Sequence, residues 1–285
     1  MITVRLTGGM GNQMFQFAAA RRLALRHETK LCLSLHWFNT PKGQHRTYRL
    51  GEFHLAGDES VETTETPWAE LNRGSDLGRP PVHGDRGQRS FQDVLDLPDG
   101  ASLRGYFQRD KYFADVQDQI RADFQLHDSL RSARIADKME ALKRYGRSLV
   151  SLHVRRGDYL AVRPDQALVI DITRVRAAMA TFAGAEFVVF SDDRPWCVQH
   201  LSGESVHLSP FESDLDELIA MSRCDHHIIA NSTFSWWGAW LNPDPGKVVM
   251  TPRNWHAGKW PGHPSAADAR EDDLDDPAPS TWIRY

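Results

Sequence analysis

The sequence has few cysteines, no long apolar run and no surplus of positive charge. Its three cysteines are far apart and odd in number, which indicates neither a disulfide framework nor a CxxC metal pair and predicts a reducing compartment: Cys32, Cys197 and Cys224. No segment approaches the ~18 consecutive apolar residues of a membrane span. A net charge of −4 and a pI near 6.3 argue against a nucleic-acid partner. With a strand pattern directly after Met1 and no signal peptide, we expect a cytoplasmic protein with at most peripheral membrane contact.

Strand and helix patterns alternate along the 285 residues, which is typical of an α/β fold with parallel sheets. The first half is predicted to contain strands at Ile2 to Leu6, Lys30 to Leu35 and Ala101 to Tyr106, with helices over 13–28 and up to about 124. The second half is predicted to contain strands at Leu149 to Val154, Glu186 to Phe190, Val206 to Leu208, His227 to Ala230 and Lys247 to Thr251, with a helix over 171–183.

These patterns predict two Rossmann-like halves whose parallel sheets face a central cleft. The first half covers residues 1–128, a connecting helix lies within 129–147, and the second half covers 148–285. Ser213 and Asp216 form a predicted capping box at the start of another helix. Of the tryptophans that follow, Trp236 and Trp240 are assigned to packing because of their helical spacing, and the role of Trp237 is left open.

The buried strand that begins at Leu149 ends in a charged sequence, His153-Val154-Arg155-Arg156-Gly157-Asp158. Ligands of open α/β sheets sit at the carboxyl ends of strands, and paired guanidiniums held by a carboxylate suit a diphosphate. The alternative is a surface salt-bridge cluster. We predict Arg155 and Asp158 as the catalytic pair, with Arg155 stabilising a departing diphosphate and Asp158 holding Arg155 or Arg156 in place. No general base is identified.

Two more strand ends in the second half carry polar residues. One is Asn231-Ser232-Thr233-Phe234-Ser235, where hydroxyls and backbone N–H groups at a helix amino end form an anion site, although Ser and Thr also cap helices everywhere. The other contains Asp192 and Asp193, which are predicted to accept hydrogen bonds from a guanine base. No catalytic metal is expected, because adjacent strand residues point to opposite faces and the Asp214–Asp216 pair is explained by capping.

The glycine-rich turn after the first strand, Thr7 to Gln13, either brings the backbone close to a phosphate or sugar or simply makes a tight turn. It lacks the third glycine of G-x-G-x-x-G, so a dinucleotide cofactor fits poorly.

Several of these segments, in order along nearly the whole chain, together resemble the bacterial α-1,2-fucosyltransferases of glycosyltransferase family 11: GGMGNQMFQFAAARRLA, GYFQRDKYF, HVRRGDY, FSDD, NSTFSWWGAWLNP and the closing Pro252 to Trp255 and Trp282-Ile283. The resemblance implies a GT-B fold, GDP-fucose as donor, a galactose-terminated oligosaccharide as acceptor, inversion at the anomeric carbon and no metal requirement. Carried over by motif, Arg155 would bind the β-phosphate, with Arg156 beside it, His153 and Asp193 would lie at the guanosine, and Ser232, Thr233 and Phe234 would close around the phosphates. Gly11, Asn12 and, from the same motif, Gln13 would face the donor from the first half.

The chain departs from the family at Ile172-Thr173, where relatives often have a tyrosine pair, and in the acidic segment from Gly262 to Pro279. These departures bear on the acceptor more than on the donor. Alternatives to GDP-fucose transfer are transfer of a related GDP-deoxysugar such as GDP-colitose, a nucleotide-dependent oxidoreductase, and a non-catalytic sugar-binding module suggested by the tryptophans.

Overall fold

The computed structural model describes residues 1–71, 82–83, 91–143, 146–157, 171–253, 255 and 277–285. These residues form two compact units. One contains Met1–Asp128, and the other begins at Ser129 and includes Ala278–Tyr285. Each unit has its own parallel sheet, so the α/β class predicted from the alternation of patterns is confirmed.

The first unit is built on a five-stranded sheet. Its elements are β1 (Ile2–Arg5), α1 (Met10–Arg26), β2 (Leu31–Ser34), β3 (Val61–Thr64), α2 (Trp68–Leu71), β4 (Val82–His83), α3 (Phe91–Leu95), β5 (Ser102–Arg104) and α4 (Gln117–Asp123). The strand order is β3-β2-β1-β5-β4, and every pair is parallel. Short 3₁₀ turns cover His36–Asn39, His54–Gly57, Asp110–Tyr112 and Ala114–Val116.

Helix α1 holds the core of this unit, because most of its side chains are buried against the sheet and α4. Phe17 packs edge-on against Phe124 with ring centroids 5.4 Å apart. The helix begins at Met10, three residues before the predicted start, because Gly9 is its N-cap and the glycine turn ends there.

The second unit contains a six-stranded sheet. Its elements are α5 (Ser129–Glu140), β6 (Leu149–Val154), α6 (Ile172–Ala180), β7 (Glu186–Ser191), α7 (Arg194–His200), β8 (Val206–Leu208), α8 (Asp214–Ser222), β9 (His226–Ile228), α9 (Thr233–Leu241), β10 (Val249–Thr251) and β11 (Ile283–Arg284). The order β8-β7-β6-β9-β10-β11, with all pairs parallel, is the 3-2-1-4-5-6 order of doubly wound nucleotide-binding folds. The order reverses between β6 and β9.

The core of this unit explains the tryptophan-rich helix. Trp236 and Trp240, predicted to pack, are indeed buried, and Trp237 is buried with them. Helix α9 approaches α8 closely at Gly238, where a Cβ atom would come within 2.8 Å of the Cβ of Met221. The tryptophan pattern therefore reports packing rather than a sugar platform.

The predicted capping box at Ser213 is wrong. Ser213 is the N-cap residue of α8, but its side chain makes no capping hydrogen bond. Instead, Arg131 of α5 donates to the Ser213 hydroxyl at 3.2 Å and to Asp216 at 2.6 Å. These side chains bind an arginine that is distant in sequence, because charge-assisted bonds are stronger than a neutral cap.

Other sequence predictions have simple outcomes. All three cysteines are free, as their number and spacing predicted, and the structure shows that all three are buried. The connecting helix predicted within 129–147 is α5, which covers Ser129–Glu140. No helix among the described residues is long and apolar enough to cross a membrane.

Candidate active site

Three loops meet at the carboxyl edge of the second sheet because β6 lies between β7 and β9. Arg155 and Arg156 follow β6, Asp192 and Asp193 follow β7, and the loop after β9 leads to α9. The reversal of strand order between β6 and β9 places a crevice at this edge, where doubly wound folds bind ligands. The three strand ends that sequence analysis singled out are therefore neighbours.

Each arginine after β6 is held by one carboxylate after β7. Nε of Arg155 lies 3.1 Å from Oδ2 of Asp192, and Nε of Arg156 lies 3.1 Å from Oδ2 of Asp193. The backbone N–H of Arg156 also donates to Oδ1 of Asp192 at 2.9 Å. The four side chains are between 14% and 28% exposed, so the pairs are partly screened from water. Fixing each guanidinium through Nε aims its terminal nitrogens in a defined direction.

Asp192 and Asp193 therefore hold the two arginines. Asp158, for which we predicted this task, lies outside the described residues, and its role stays a prediction. The expectation that the two carboxylates point to opposite faces of a strand is wrong, because β7 ends at Ser191 and Asp193 is the N-cap residue of α7. Oδ1 of Asp193 accepts from the backbone N–H of Trp196 at 3.2 Å. Three of these four carboxylate oxygens accept hydrogen bonds, and the fourth, Oδ2 of Asp192, forms the ion pair with Arg155. The guanine contact stays a prediction.

Gly157 leaves room for this arrangement. A Cβ atom at this position would lie 3.0 Å from Oδ2 of Asp192, the oxygen that binds Arg155. Any other residue would therefore press on the carboxylate.

Trp196 is a site residue that sequence analysis missed. The guanidinium carbon of Arg156 lies 4.2 Å from the centre of the Trp196 ring, and the same ring stacks on His200 with ring centroids 4.4 Å apart and an interplanar angle of 14°. An arginine over a tryptophan face is a favourable cation–π pair. The sequence contained a signal for this contact, because Trp196 follows Asp193 by three residues and residues three apart in a helix lie on the same side.

His153, the predicted guanosine contact, is 4% exposed and makes a ring contact with Phe234 at 5.8 Å. Its Nδ1 atom has no hydrogen-bond partner among the described residues. Burial and the neighbouring charge of Arg155 lower the pKa of His153 to about 3, so the imidazole is neutral at pH 7. A neutral ring with an unpartnered nitrogen beside the arginines suits a polar ligand atom.

The loop after β9 forms the amino end of α9. Ser232 is the N-cap residue, and its side chain does not cap the helix. The hydroxyl of Ser235 is turned inward, donating to the carbonyls of Ser232 at 3.2 Å and Ala230 at 3.4 Å. Asn231 is buried, whereas Thr233 and Phe234 are half-buried. The first-turn N–H groups of α9 have no acceptor within the helix, as at every helix start.

The predicted residues of the glycine turn belong to the other unit. Gly8 has φ of +77°, and a Cβ atom there would lie 2.6 Å from Nδ2 of Asn12, so the turn itself requires glycine. Oδ1 of Asn12 accepts from Gln108 at 2.8 Å. Nε2 of Gln13 donates to the carbonyls of Gly8 at 3.0 Å and Thr47 at 2.9 Å, and its Oε1 accepts from the N–H of Arg49 at 2.9 Å. Gln13 therefore fixes a loop, and Gly11 is buried inside α1.

Glu217 on α8 is a further titratable group near the site. Burial raises the pKa of its carboxyl to about 7, and a hydrogen bond from Ser209 and the charge of Arg194 only partly offset this effect. Asp192 also acts on it electrostatically. Among the described residues, no group of three or more His, Cys, Asp or Glu side chains is placed to hold a metal ion.

Solved structures define the fold class first. A crystal structure of NodZ α-1,6-fucosyltransferase co-crystallized with GDP matches 85% of this chain and 92% of its own, with a TM-score of 0.53 and 15% identity. A structure of fucosyltransferase NodZ from Bradyrhizobium matches 85% of this chain and 93% of its own, with a TM-score of 0.51 and 16% identity. The fold is therefore of the GT-B type.

Sequence comparison then gives the family. The model of glycosyl transferase family 11 matches residues 90–267, more than half of the chain, and the chain belongs to that family of glycosyltransferases. The O-antigen biosynthesis glycosyltransferase WbnK of Escherichia coli is 29% identical, over 89% of this chain and 94% of the relative. An α-1,2-colitosyltransferase of Escherichia coli is 28% identical, over 100% of this chain and 98% of the relative. The human galactoside α-(1,2)-fucosyltransferase 1 is 29% identical, over 84% of this chain and 65% of the relative.

Proposed function

We propose that the protein transfers L-fucose from GDP-fucose to the 2-hydroxyl of a galactoside, forming an α-1,2 linkage with inversion. The observation that carries this proposal is the arginine pair after β6, each member fixed by a carboxylate after β7. Two rigid guanidiniums at the carboxyl edge of a nucleotide-binding sheet suit a diphosphate. Membership of family 11 and the relatives named as fucosyltransferases support the donor and the linkage.

In this proposal, the acceptor hydroxyl oxygen forms a bond to the anomeric carbon of fucose while the bond from that carbon to the β-phosphate oxygen breaks. GDP leaves with the bonding electron pair, and the hydroxyl proton passes to a base that we do not assign. Arg155 donates to the β-phosphate and stabilises the charge that develops on it. The N–H groups at the start of α9 bind the same diphosphate.

Other groups have supporting roles. Arg156 contributes a second charge, and neutral His153 offers Nδ1 to the nucleoside. We propose that no metal ion is required, because the arginines supply the positive charge and both nearby carboxylates already bind them. The acceptor is a galactose-terminated oligosaccharide, the enzyme works in the cytoplasm, and any membrane contact is peripheral.

Transfer of colitose from GDP-colitose is the second candidate, because the named colitosyltransferase is similar to the whole chain. The contacts proposed for guanosine and diphosphate serve both donors equally well. The sugar pocket alone would distinguish them.

The test incubates the purified protein with labelled GDP-fucose or GDP-colitose and a panel of galactosides, with and without EDTA, followed by linkage analysis of the product. We expect an α-1,2-fucosyl product whose yield is unchanged by EDTA. A product formed only from GDP-colitose would replace the first proposal by the second. Calorimetry with GDP provides a cheap control, since a non-catalytic sugar-binding module would bind no GDP.

A further inference from the structure

Two arginines lie side by side in the sheet of the first unit. Strands β1 and β5 pair in parallel with Thr3 opposite Ser102 and Val4 opposite Leu103. The next residues in this register are Arg5 and Arg104, the last residues of their strands. Residues in register on neighbouring strands project from the same face, so the two guanidiniums are close. Like charges at such positions repel each other.

The residues that the structure describes offer no carboxylate to offset this charge. Nε of Arg5 is buried without a hydrogen-bond partner, and the described residues contain no ion pair to Arg5 or Arg104. On the other side, Arg5 pairs with Ser34 of β2, which is fully buried and whose hydroxyl also lacks a partner among the described residues. Burial and the charge of Arg104 both lower the pKa of Arg5. By contrast, Arg21 of the same unit is buried with a carboxylate partner, Asp123, at 3.0 Å.

The position of the pair is that of a ligand site. The strand order β3-β2-β1-β5-β4 reverses between β1 and β5, and both arginines are at the carboxyl ends of these strands. This edge is where open α/β sheets bind ligands. Arg104 is exposed, and a third guanidinium, that of Arg46, lies 3.8 Å from the position a Cβ atom on Gly9 would take.

We propose that Arg5 and Arg104 form an anion-binding site of the first unit, which binds a phosphoryl or carboxylate group carried by the acceptor. Both groups are oxoanions that a pair of guanidiniums can bind through several charge-assisted hydrogen bonds. An oxoanion would also remove the repulsion between the two arginines. The assignment to the acceptor rests on the proposed transferase function, whereas the anion site itself does not.

The direct test measures binding of inorganic phosphate by calorimetry in the presence of saturating GDP, which occupies the proposed donor site. We expect Arg5→Gln and Arg104→Gln each to weaken phosphate binding about tenfold. Lys30→Gln is the matched control, because it removes one positive charge immediately before β2, at the opposite edge of the same sheet, and should change binding less than about twofold. Equal binding by all four proteins, or none by the wild type, would overturn the proposal.

Thermal unfolding separates this role from a structural one. Removing either arginine relieves the repulsion, so neither variant should unfold at a lower temperature than the wild type. A loss of stability in the exposed-site variant Arg104→Gln would indicate a structural role and contradict the proposal.

The second test compares a neutral galactoside with the same galactoside carrying a diphosphate or a glucuronate residue. We expect kcat/KM to be about tenfold higher for at least one charged acceptor, and this preference to disappear in Arg5→Gln and Arg104→Gln but not in Lys30→Gln. A preference for the diphosphate acceptor would identify the anion as phosphoryl, and a preference for the glucuronate acceptor would identify it as carboxylate. Transfer without any preference would refute the acceptor anion while leaving the transferase intact, whereas absence of GDP binding and of all transfer would refute the transferase.

Discussion

Nε of Arg155 lies 3.1 Å from Oδ2 of Asp192. The backbone N–H of the next residue, Arg156, donates to the same carboxylate, although Asp192 is 36 positions further along the chain. Asp192 therefore fixes both the side chain of one arginine and the backbone of the next. The contact is possible because β6 and β7 are parallel neighbours in register as far as Val154 and Ser191. In the proposed reaction, Asp192 orients both arginines for the donor.

Asp192→Asn should reduce kcat/KM by about 10- to 100-fold, because the amide keeps the shape but loses the charge that holds Arg155. Steady-state kinetics with GDP-fucose would measure this loss. Asp171→Asn is the matched control, since Asp171 pairs with Arg174 at 3.3 Å on the surface of the same unit. A comparable loss in the control would show that any unpaired arginine in this unit impairs the enzyme.

Arg155→Ala should lower kcat by about 10²- to 10³-fold, because the diphosphate loses a charge that is strongest in the transition state. Arg155→Lys should recover little of this activity, since lysine cannot bind Asp192 and a phosphate through one planar group. Single-turnover rates at saturating GDP-fucose would separate chemistry from binding. Near-normal turnover by Arg155→Ala would remove Arg155 from the mechanism.

Trp196→Leu should raise the KM for GDP-fucose about 5- to 20-fold with a smaller change in kcat, because Arg156 loses the ring that supports its guanidinium. Trp196→Phe retains an aromatic face and should restore most of the affinity. Donor KM and calorimetric GDP affinity are the readouts. If the leucine and phenylalanine variants behave alike, Trp196 contributes to donor binding through packing and not through the cation–π contact with Arg156.

Acid should destabilise the protein through His227. This ring is fully buried, and Nε2 lies 3.0 Å from Nδ2 of Asn242 while Nδ1 lies 2.8 Å from the Ser151 hydroxyl. The amide must donate to Nε2, so the neutral ring carries its proton on Nδ1, and a second proton would oppose the amide.

Burial, with Lys247 and His226 nearby, lowers the pKa of His227 to about 3, below the unfolded value of 6.5. The unfolded chain therefore binds more protons in this range, and stability is lost as the pH falls from 6.5 towards 3. By pH 5 the loss linked to His227 is about 2 kcal/mol. Urea unfolding at several pH values should show this slope, and it should be shallower in His227→Gln. An unchanged slope would contradict the assignment.

Glu217 should have the opposite effect. Burial raises the pKa of its carboxyl from 4.5 to about 7, so between these pH values the folded protein holds a proton that the unfolded chain has lost. Stability is therefore lost as the pH rises towards and through 7. Glu217→Gln should therefore be more stable than the wild type at pH 8, by about 1 kcal/mol, and similar at pH 5. Thermal unfolding at both values measures the difference. A variant that is less stable at pH 8 would show that the carboxylate has an unrecognised partner.

Local patterns predicted most of the strands and the edge of the second sheet where the polar residues lie. The strand from Leu149 to Val154 and the arginines after it could be predicted without knowing the neighbouring strands, because a strand buried on both faces has consecutive apolar residues. Short elements such as β3 and β11 were missed because two to four residues carry little periodicity.

The sequence alone determined the two α/β halves, the family motifs and the arginine-bearing strand end, since each depends on residues close together in the chain. Only the tertiary structure decided which carboxylates hold the arginines, that Arg131 binds Ser213 and Asp216, and that Arg5 lies beside Arg104. Such partners are set by strand order and register. A shift of one residue along a strand would turn every side chain to the other face and change the pairs.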